Sequence, residues 1–218
     1  YKPEYTWNYE IGSHLTLWEG RLLADLSAFY MDTRNQQIAK FAENGLGRIT
    51  VNAGKSHSYG AEASLRAALT TAFTVNASYG YTYATFKEYA TNVKVDGETK
   101  EISYNGNYVP FVPKHTLSLG GQYIFRINPG HWLDRIQVNA NYTGAGRIYW
   151  TEQNDVSQSF YGILNGRLSL QKGNGQIDFW VRNALDKDYA AFYFESMGNG
   201  FMQKGRPIQA GIELRCRF

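Results

Sequence analysis

The stretch FTVNASYGYTY, residues 73–83, alternates between two kinds of side chain along its whole length. Its odd-numbered positions are apolar or aromatic, and its even-numbered positions are Thr, Asn, Ser and Gly. Successive side chains of a β-strand point to opposite faces, so this pattern predicts a strand with one apolar and one polar face. The same period of two recurs in HTLSLGGQYIF (115–125), IQVNANYT (136–143) and QAGIELRCRF (209–218).

The period of two extends over the whole chain and predicts about nine strands. The predicted spans are 4–17, 21–41, 47–68, 73–88, 111–126, 133–147, 158–171, 176–184 and 205–217. Short links alternate with long ones: the short links are 18–20, 70–72, 128–130 and 172–175, and the long links include 89–110, 148–157 and 185–204. A transmembrane β-barrel has this alternation, with short turns on the periplasmic side and longer loops outside the cell.

The composition agrees with an all-β protein and excludes several other classes. Aromatic residues make up 16% of the chain, with 17 Tyr, which suits strands and interfaces better than a helical core. The net charge of +3 is too small to indicate a nucleic-acid partner. No stretch approaches the roughly 20 apolar residues that a transmembrane helix requires. A mean hydropathy of −0.45 is compatible with a barrel, because only every second side chain of a barrel strand faces lipid.

A soluble β-sandwich or β-propeller is the main structural alternative, because its strands also alternate. The solvent face of such a protein usually carries many Lys and Glu residues. Here the polar face is rich in Asn, Thr, Ser, Gln and Gly, which suits a hydrated lumen. The sequence therefore predicts an all-β fold, an antiparallel transmembrane β-barrel in the cell outer membrane.

The number of strands predicts that this barrel is incomplete. In an antiparallel meander of nine strands the first and the last run in the same direction. Bacterial single-chain barrels have an even number of antiparallel strands, and open sheet edges are not tolerated in lipid. We therefore expect residues 1–218 to be the carboxy-terminal part of a larger barrel.

Several blocks of the sequence resemble one known family. They are KPEYTWNYEIG (2–12), NAGKSHSYGAEASL (52–65), YVPFVPKHTLSLG (108–120), VRNALDKDY (181–189) and the closing RCRF (215–218). In this order they resemble the carboxy-terminal barrel segment of TonB-dependent outer-membrane transporters, especially the ferric-siderophore receptors. The resemblance implies about the last nine strands of a 22-stranded barrel, whose plug domain is absent from this chain. By the same resemblance, Phe218 is similar to the terminal aromatic residue that serves as the assembly signal of the family.

The resemblance implies a receptor that takes up a scarce ligand, most simply a ferric siderophore, with energy supplied through TonB. The implied partners are the TonB complex, the receptor's own plug and early strands, the barrel-assembly machinery, outer-membrane lipid and the iron chelate. No nucleic acid, cofactor or enzymatic activity is expected. Two alternatives stay open: a passive porin-like diffusion barrel, and a TonB-dependent importer of cobalamin, haem or oligosaccharide.

Candidate site residues fall into two groups, and no catalytic or metal site is expected because the four His residues lack ligand spacing. Charged residues on the inward phase are candidates for wall ion pairs and plug contacts: Glu10, Asp25, Glu62, Arg66, Arg167, Asp178, Arg182, Glu213 and Arg215. Aromatic residues of the long loops are candidates for ligand contacts, because aromatic clusters can stack on planar chelating groups. They are Tyr104, Tyr108, Phe111, Tyr149, Trp150, Phe192, Tyr193 and Phe194. Interface anchoring is an equally open role for the aromatic group.

Overall fold

The computed structural model describes residues 2–41, 48–52, 54–95, 98–196 and 198–217. Within these ranges the regular structure is entirely β. The strands are β1 (Tyr5–Leu17), β2 (Leu22–Arg34), β3 (Gln37–Phe41), β4 (Arg48–Asn52), β5 (Lys55–Ala68), β6 (Phe73–Glu88), β7 (Ala90–Val95), β8 (Glu98–Ser103), β9 (His115–Arg126), β10 (Arg135–Ala145), β11 (Ile148–Tyr149), β12 (Ser157–Gln158), β13 (Tyr161–Lys172), β14 (Gly175–Arg182), β15 (Ala190–Ser196), β16 (Asn199–Lys204) and β17 (Gln209–Cys216). The described residues contain no helix that is long and apolar enough to cross a membrane.

Nine of these strands form one antiparallel sheet in the order β1-β2-β5-β6-β9-β10-β13-β14-β17. Each strand therefore pairs with the next sheet strand along the chain, which is the meander that the sequence predicted. The other eight strands form four small hairpins, β3-β4, β7-β8, β11-β12 and β15-β16. All four hairpins lie in links at one end of the sheet, and the opposite end has only short turns.

Three of the four turns at the short-link end span four residues or fewer, whereas the link between β9 and β10 spans residues 127–134 and is longer than the turn predicted at 128–130. Lys172 pairs with Gly175 across a two-residue turn in which Gly173 has a φ of 52°. Trp18 and Glu19 also have positive φ values, 52° and 55°, and Gly20 follows at 85°. Left-handed residues of this kind match the twist of a β-hairpin, which accounts for the short connections.

The period-two stretch at 21–41 is divided into β2 and β3, although the sequence predicted a single strand. Asn35 interrupts it with a φ of 53°, a conformation that Asn adopts more readily than most residues. The Asn35 amide donates to the Gly54 carbonyl at 2.8 Å, and the Asn52 side chain donates to the Asn35 carbonyl at 2.6 Å. This bend separates the sheet from the β3-β4 hairpin.

The register between neighbouring strands aligns polar residues with polar residues and apolar residues with apolar residues, in rows across the sheet. One polar row runs from Gly12 through Ser27, Glu62 and Gly80 to Thr116. The neighbouring row on the opposite face contains Ile11, Ala28, Ala61, Tyr81 and His115. The sheet consequently has a polar face and an apolar face, as the alternation predicted.

The two outermost strands of the sheet, β1 and β17, have a free edge. Every residue of β1 is exposed, and on the apolar face Ile11 is 76% exposed. At the other edge Leu214 is 74% exposed. An odd number of antiparallel strands makes β1 and β17 run in the same direction, so the two edges cannot close on each other in antiparallel fashion.

Candidate functional site

A network of four charged side chains lies on the polar face where β13, β14 and β17 adjoin. Arg167 is 3.0 Å from the Asp178 carboxylate and 3.1 Å from that of Glu213. Arg215 is 2.8 Å from Glu213 and 3.6 Å from Asp178. The Asp178 side chain has no exposed surface, and it also accepts a hydrogen bond from Gln176 at 2.8 Å. We call these four residues the wall network, and all of them were candidates from the sequence.

Three other charged candidates line one open cavity of about 390 Å³ on the same face, near the β1 edge. They are Glu10, Asp25 and Glu62, and His14 lines the cavity with them. His14 Nδ1 lies 2.5 Å from Asp25 Oδ1, and Ser64 Oγ donates to the other carboxylate oxygen at 2.9 Å. His14 was not predicted from the sequence, because its position opposite Asp25 depends on the register between β1 and β2.

The last two charged candidates stand apart from both groups. Arg66 lies opposite Leu23 and Asn76, closer to the short turns. The Arg182 guanidinium lies 5.1 Å from the centre of the Trp180 ring, in a cation–π contact on the polar face. The alternation along β14 places Trp180 among polar residues, and the contact with Arg182 gives its ring a favourable partner there.

Among the loop aromatics, Tyr104 belongs to a small hydrophobic core. It packs with Phe86 and Tyr89, and all three are at most 4% exposed. Burial raises the pKa of the Tyr89 and Tyr104 hydroxyls, and the negative charge of Glu152 raises both further. Tyr104 therefore stabilises the loop and has little surface to offer a ligand.

Trp150 and Tyr193 belong to a second loop core. Trp150 is 7% exposed and packs with Ile148 and Ala190, and Tyr193 packs against this cluster from β15. The Tyr193 hydroxyl donates to Glu195 at 3.0 Å. These contacts tie the β15-β16 hairpin to the loop after β10.

The alternation in β15 places its phenylalanines on the opposite side from Tyr193. Phe192 stacks on Phe111 at 5.7 Å between ring centres and contacts Phe194 at 5.9 Å. Phe194 in turn stacks on Phe201 at 5.1 Å. Phe111 and Phe201 are 49% and 47% exposed. We call Phe111, Phe192, Phe194 and Phe201 the phenyl row.

The phenyl row joins two loops that are distant in sequence, and Phe111 is held in place by its backbone. Its amide donates to the Tyr149 carbonyl at 2.8 Å, and its φ is 66°. Three members of the row were predicted from the sequence, and Phe201 was not. The pairing of Phe194 with Phe201 across the β15-β16 hairpin would have identified it.

Tyr108 and Tyr149, the remaining aromatic candidates, stack on each other at 5.2 Å with an angle of 12° between their rings. Both line a separate pocket with Lys114 and Arg147. Phe218, the candidate assembly signal, lies outside the described residues. Within the described part of the chain, no three His, Cys, Asp or Glu side chains are grouped so that they could hold a metal ion.

The sheet is a wide antiparallel meander with one polar and one apolar face. It has short turns at one end and long loops with small hairpins at the other. These features together define a segment of an outer-membrane β-barrel. The sequence model of the family described as "TonB dependent receptor-like, beta-barrel" matches residues 1–184. The chain therefore belongs to this family, and the resemblance noted in its sequence is confirmed.

Individual relatives agree with this assignment. The chain is 27% identical over 203 residues to the ferrichrome outer membrane transporter/phage receptor of Escherichia coli (strain K12), a match that covers 91% of this chain and 25% of that protein. It is 26% identical over 214 residues to the pesticin receptor of Yersinia pestis, covering 97% of this chain and 29% of that one. The chain thus spans between a quarter and a third of the length of these relatives.

Solved structures show the same fold. The ferric yersiniabactin uptake receptor from Yersinia pestis superposes with a TM-score of 0.80 at 21% identity, covering 99% of this chain and 30% of that one. A siderophore receptor from Acinetobacter baumannii gives a TM-score of 0.76 at 18% identity, covering 97% of this chain and 28% of that one. At these identities the likeness establishes the fold of the barrel segment.

Proposed function

We propose that this chain is part of an outer-membrane receptor that takes up a ferric siderophore, with energy supplied through TonB. The observation that carries the proposal is the barrel segment itself: a family match over residues 1–184, combined with large loops that carry the phenyl row, in which Phe111 and Phe201 are exposed. The relative named for ferrichrome and the structure named for ferric yersiniabactin support an iron chelate as the ligand.

We also propose that residues 1–218 form the carboxy-terminal part of the receptor's barrel, about nine of its 22 strands. The free edges of β1 and β17 support this, because unpaired backbone groups have no hydrogen-bonding partner in lipid. The preceding strands would pair with β1, and the first strand of the barrel would pair with β17. The limited share of each relative that the chain covers agrees with such a division.

The phenyl row is the proposed contact surface for the chelate. Phe111 and Phe201 are exposed, and Phe192 and Phe194 are partly exposed. A hydrophobic loop core that includes Trp150 fixes the β15-β16 hairpin. Aromatic rings stack favourably on planar groups and contribute about 0.5–1.5 kcal/mol per pair beyond their buried area. Tyr108 and Tyr149 flank this region. Tyr104, Trp150 and Tyr193 are proposed to stabilise the loops by packing and not to contact the chelate.

The polar face is proposed to face the plug domain. Among the described residues, Glu10, Glu62, Arg66 and Arg182 form no ion pair with one another or with other side chains. A charged side chain in a confined lumen needs a partner, so these four are the better candidates for plug contacts. The wall network already balances its own charges and would stiffen the barrel wall. Phe218 is proposed to direct assembly through the barrel-insertion machinery.

A growth assay tests the proposed function and its substrate class. A strain that lacks the intact receptor is starved of iron and supplied with a panel of hydroxamate, catecholate, phenolate and citrate chelates of Fe³⁺. We expect restored growth on one chelate class only when the intact receptor is expressed in a strain with functional TonB. Growth on all small chelates without TonB would instead identify a passive diffusion barrel, and growth on cobalamin or haem alone would identify a different importer.

A further inference from the structure

An indole ring lies on the polar face of the sheet, among residues that are otherwise hydrophilic or small. The register places Trp180 of β14 between Arg167 of β13 and Gly211 of β17. Asn139 of β10 continues the same row on the far side of Arg167. In a barrel of this kind the polar face lines the lumen, so the indole faces the lumen and not the lipid.

Gly211 is the residue that allows this ring to lie close against β17. A Cβ atom at position 211 would stand 2.5 Å from Cζ2 and 2.7 Å from Cε2 of the indole, which is too close for a real side chain. Any larger residue would push the ring away from the strand, so Gly211 sets the position of the Trp180 ring. The guanidinium of Arg182 lies 5.1 Å from the centre of the same ring.

A cavity of about 280 Å³ opens beside the indole, and the polar groups along it are hydrogen-bond donors. Asn139 Oδ1 accepts a hydrogen bond from Gln137 at 3.3 Å, and Asn165 Oδ1 accepts one from the Asn183 amide at 3.1 Å. Because these carbonyl oxygens are engaged, the side chains of Asn139 and Asn165 have their amide N–H groups to offer a ligand. None of the described residues that line the cavity is Asp or Glu.

Two arginines line the cavity, and they differ in how their charges are balanced. Arg167 lies 3.0 Å from the Asp178 carboxylate and 3.1 Å from that of Glu213. Arg182 is exposed and has no carboxylate partner in the part of the chain that the structure describes. A guanidinium that stacks on an aromatic ring keeps its fork of N–H groups available for a bidentate contact with an anion. Arg182 is therefore the cation that an entering anion would meet.

The cavity can be reached from the loops. Arg182 is the last residue of β14, and the link to the β15-β16 hairpin begins at the next residue. This hairpin carries most of the phenyl row, so the cavity lies at the outer end of the lumen wall. A ligand that leaves the phenyl row and moves inward would reach the Trp180 ring before the deeper part of the lumen.

We propose that this cavity is a second binding site for the chelate, inside the lumen, and that it selects chelates built from anionic aromatic rings, namely catecholates and phenolates. The indole offers a face to a planar ring, and Arg182 and the two amides offer donors to the oxygen atoms on that ring. A citrate chelate is anionic but has no aromatic ring. The inference rests on the proposed function and names the substrate class within it. A carboxylate of the plug is the competing partner for Arg182.

Fluorine NMR of the intact receptor in detergent tests this proposal. The probe is a fluorinated dihydroxybenzoate, which is an anionic aromatic ring. The comparison compound is a fluorinated cyclohexanecarboxylate, which carries the charge without the aromatic face. Both are titrated into a parent receptor that contains Phe192→Ala and Phe194→Ala, so that the phenyl row does not contribute. We expect the aromatic probe to bind saturably and more tightly than the saturated acid.

Variants of the parent receptor locate the binding site. Trp180→Leu/Arg182→Gln should weaken binding of the aromatic probe about tenfold, because it removes both the ring face and the free cation. Gly211→Ala should also weaken it, since the added Cβ displaces the indole while both groups remain. Trp180→Phe/Arg182→Lys keeps a ring and a charge and should retain most of the binding. The matched control is Arg66→Gln, which removes another cation of the polar face nearer the short turns and should bind like the parent.

Heat-modifiable mobility on a gel shows that each variant is folded before its binding is measured. Equal binding of the aromatic probe and the saturated acid would overturn the proposal, and so would unchanged binding by Trp180→Leu/Arg182→Gln. Absence of saturable binding to the parent would overturn it as well, and faster protease cleavage of the plug in Arg182→Gln would then assign Arg182 to the plug. Binding of the probe at this site together with failure of every iron chelate in the growth panel would overturn the proposed function alone.

Discussion

The Arg167 guanidinium lies 3.0 Å from the Asp178 carboxylate, and the Asp178 side chain has no surface exposed to solvent. A buried carboxylate requires such a partner, because an unpaired charge in a region of low polarity is costly. Glu213 and Arg215 complete the wall network from the edge strand β17. The network thus links three neighbouring strands through side chains as well as through backbone hydrogen bonds.

Asp178→Asn should lower the stability of the intact barrel more than Glu213→Gln. The first change removes the buried negative charge that faces both Arg167 and Arg215, and a loss of about 1–3 kcal/mol is expected. Glu213 is 41% exposed, so water can replace part of what its charge contributes. The temperature at which the folded band disappears in a heat-modifiability gel measures the difference. Equal shifts for the two variants would contradict the assigned roles.

Phe192→Ala combined with Phe194→Ala should weaken chelate binding by about tenfold while the receptor still reaches the cell surface. Each stacked contact is worth about 0.5–1.5 kcal/mol, and two members of the phenyl row are removed. Tyr193→Phe is the control, since it keeps the packing of the loop core and removes only the hydrogen bond to Glu195. The measurement is binding of the Fe³⁺ chelate to whole cells, with surface labelling of the receptor. Unchanged affinity at normal surface levels would exclude the phenyl row as the contact surface.

Val138→Arg should impair assembly, whereas Gln137→Arg should be tolerated. The two residues are neighbours in β10, and Val138 pairs with Tyr123 and Leu168 on the apolar face. An Arg on the lipid-facing side costs roughly 2–4 kcal/mol at the middle of the bilayer and less towards its surfaces. Gln137 lies on the polar face, where a new cation can stay hydrated. The measurement is the amount of folded intact receptor in outer-membrane fractions. Similar amounts of the two variants would mean that the apolar and polar faces are wrongly assigned.

Residues 1–218 expressed alone should not form a stable, monodisperse barrel in detergent. The sheet ends in two strands with free edges, and the parallel direction of β1 and β17 prevents them from closing as an antiparallel pair. Unpaired edges in an apolar environment favour aggregation. Size-exclusion chromatography with light scattering reports the outcome. A single monomeric species with heat-modifiable mobility would refute the account of an incomplete barrel.

The nine sheet strands and their two faces could be predicted from the sequence, because a period of two is a local property of the chain. The hairpins within the long loops could not, since β7-β8 and β15-β16 depend on turns and pairings that carry little alternation. The bend at Asn35 is another example, because it depends on a hydrogen bond to the backbone of Gly54.

Contacts between strands set a second limit on what the sequence reveals. Asp25 was recognisable as an inward-facing charge, but its neighbour His14 depends on the register of β1 against β2. Among the loop aromatics, residue type alone did not separate the buried Tyr104 from the exposed Phe111. Packing between loops distant in sequence decides which rings are available to a ligand.

Uptake of iron by living cells tests the central claim most directly. Cells that express the intact receptor are given the radiolabelled Fe³⁺ chelate identified by the growth panel, and accumulated iron is followed over time. We expect accumulation that saturates with chelate concentration and is abolished by deletion of TonB or by collapse of the inner-membrane proton gradient, although the chelate still binds at the surface. Accumulation that rises in proportion to concentration and persists without TonB would contradict the claim.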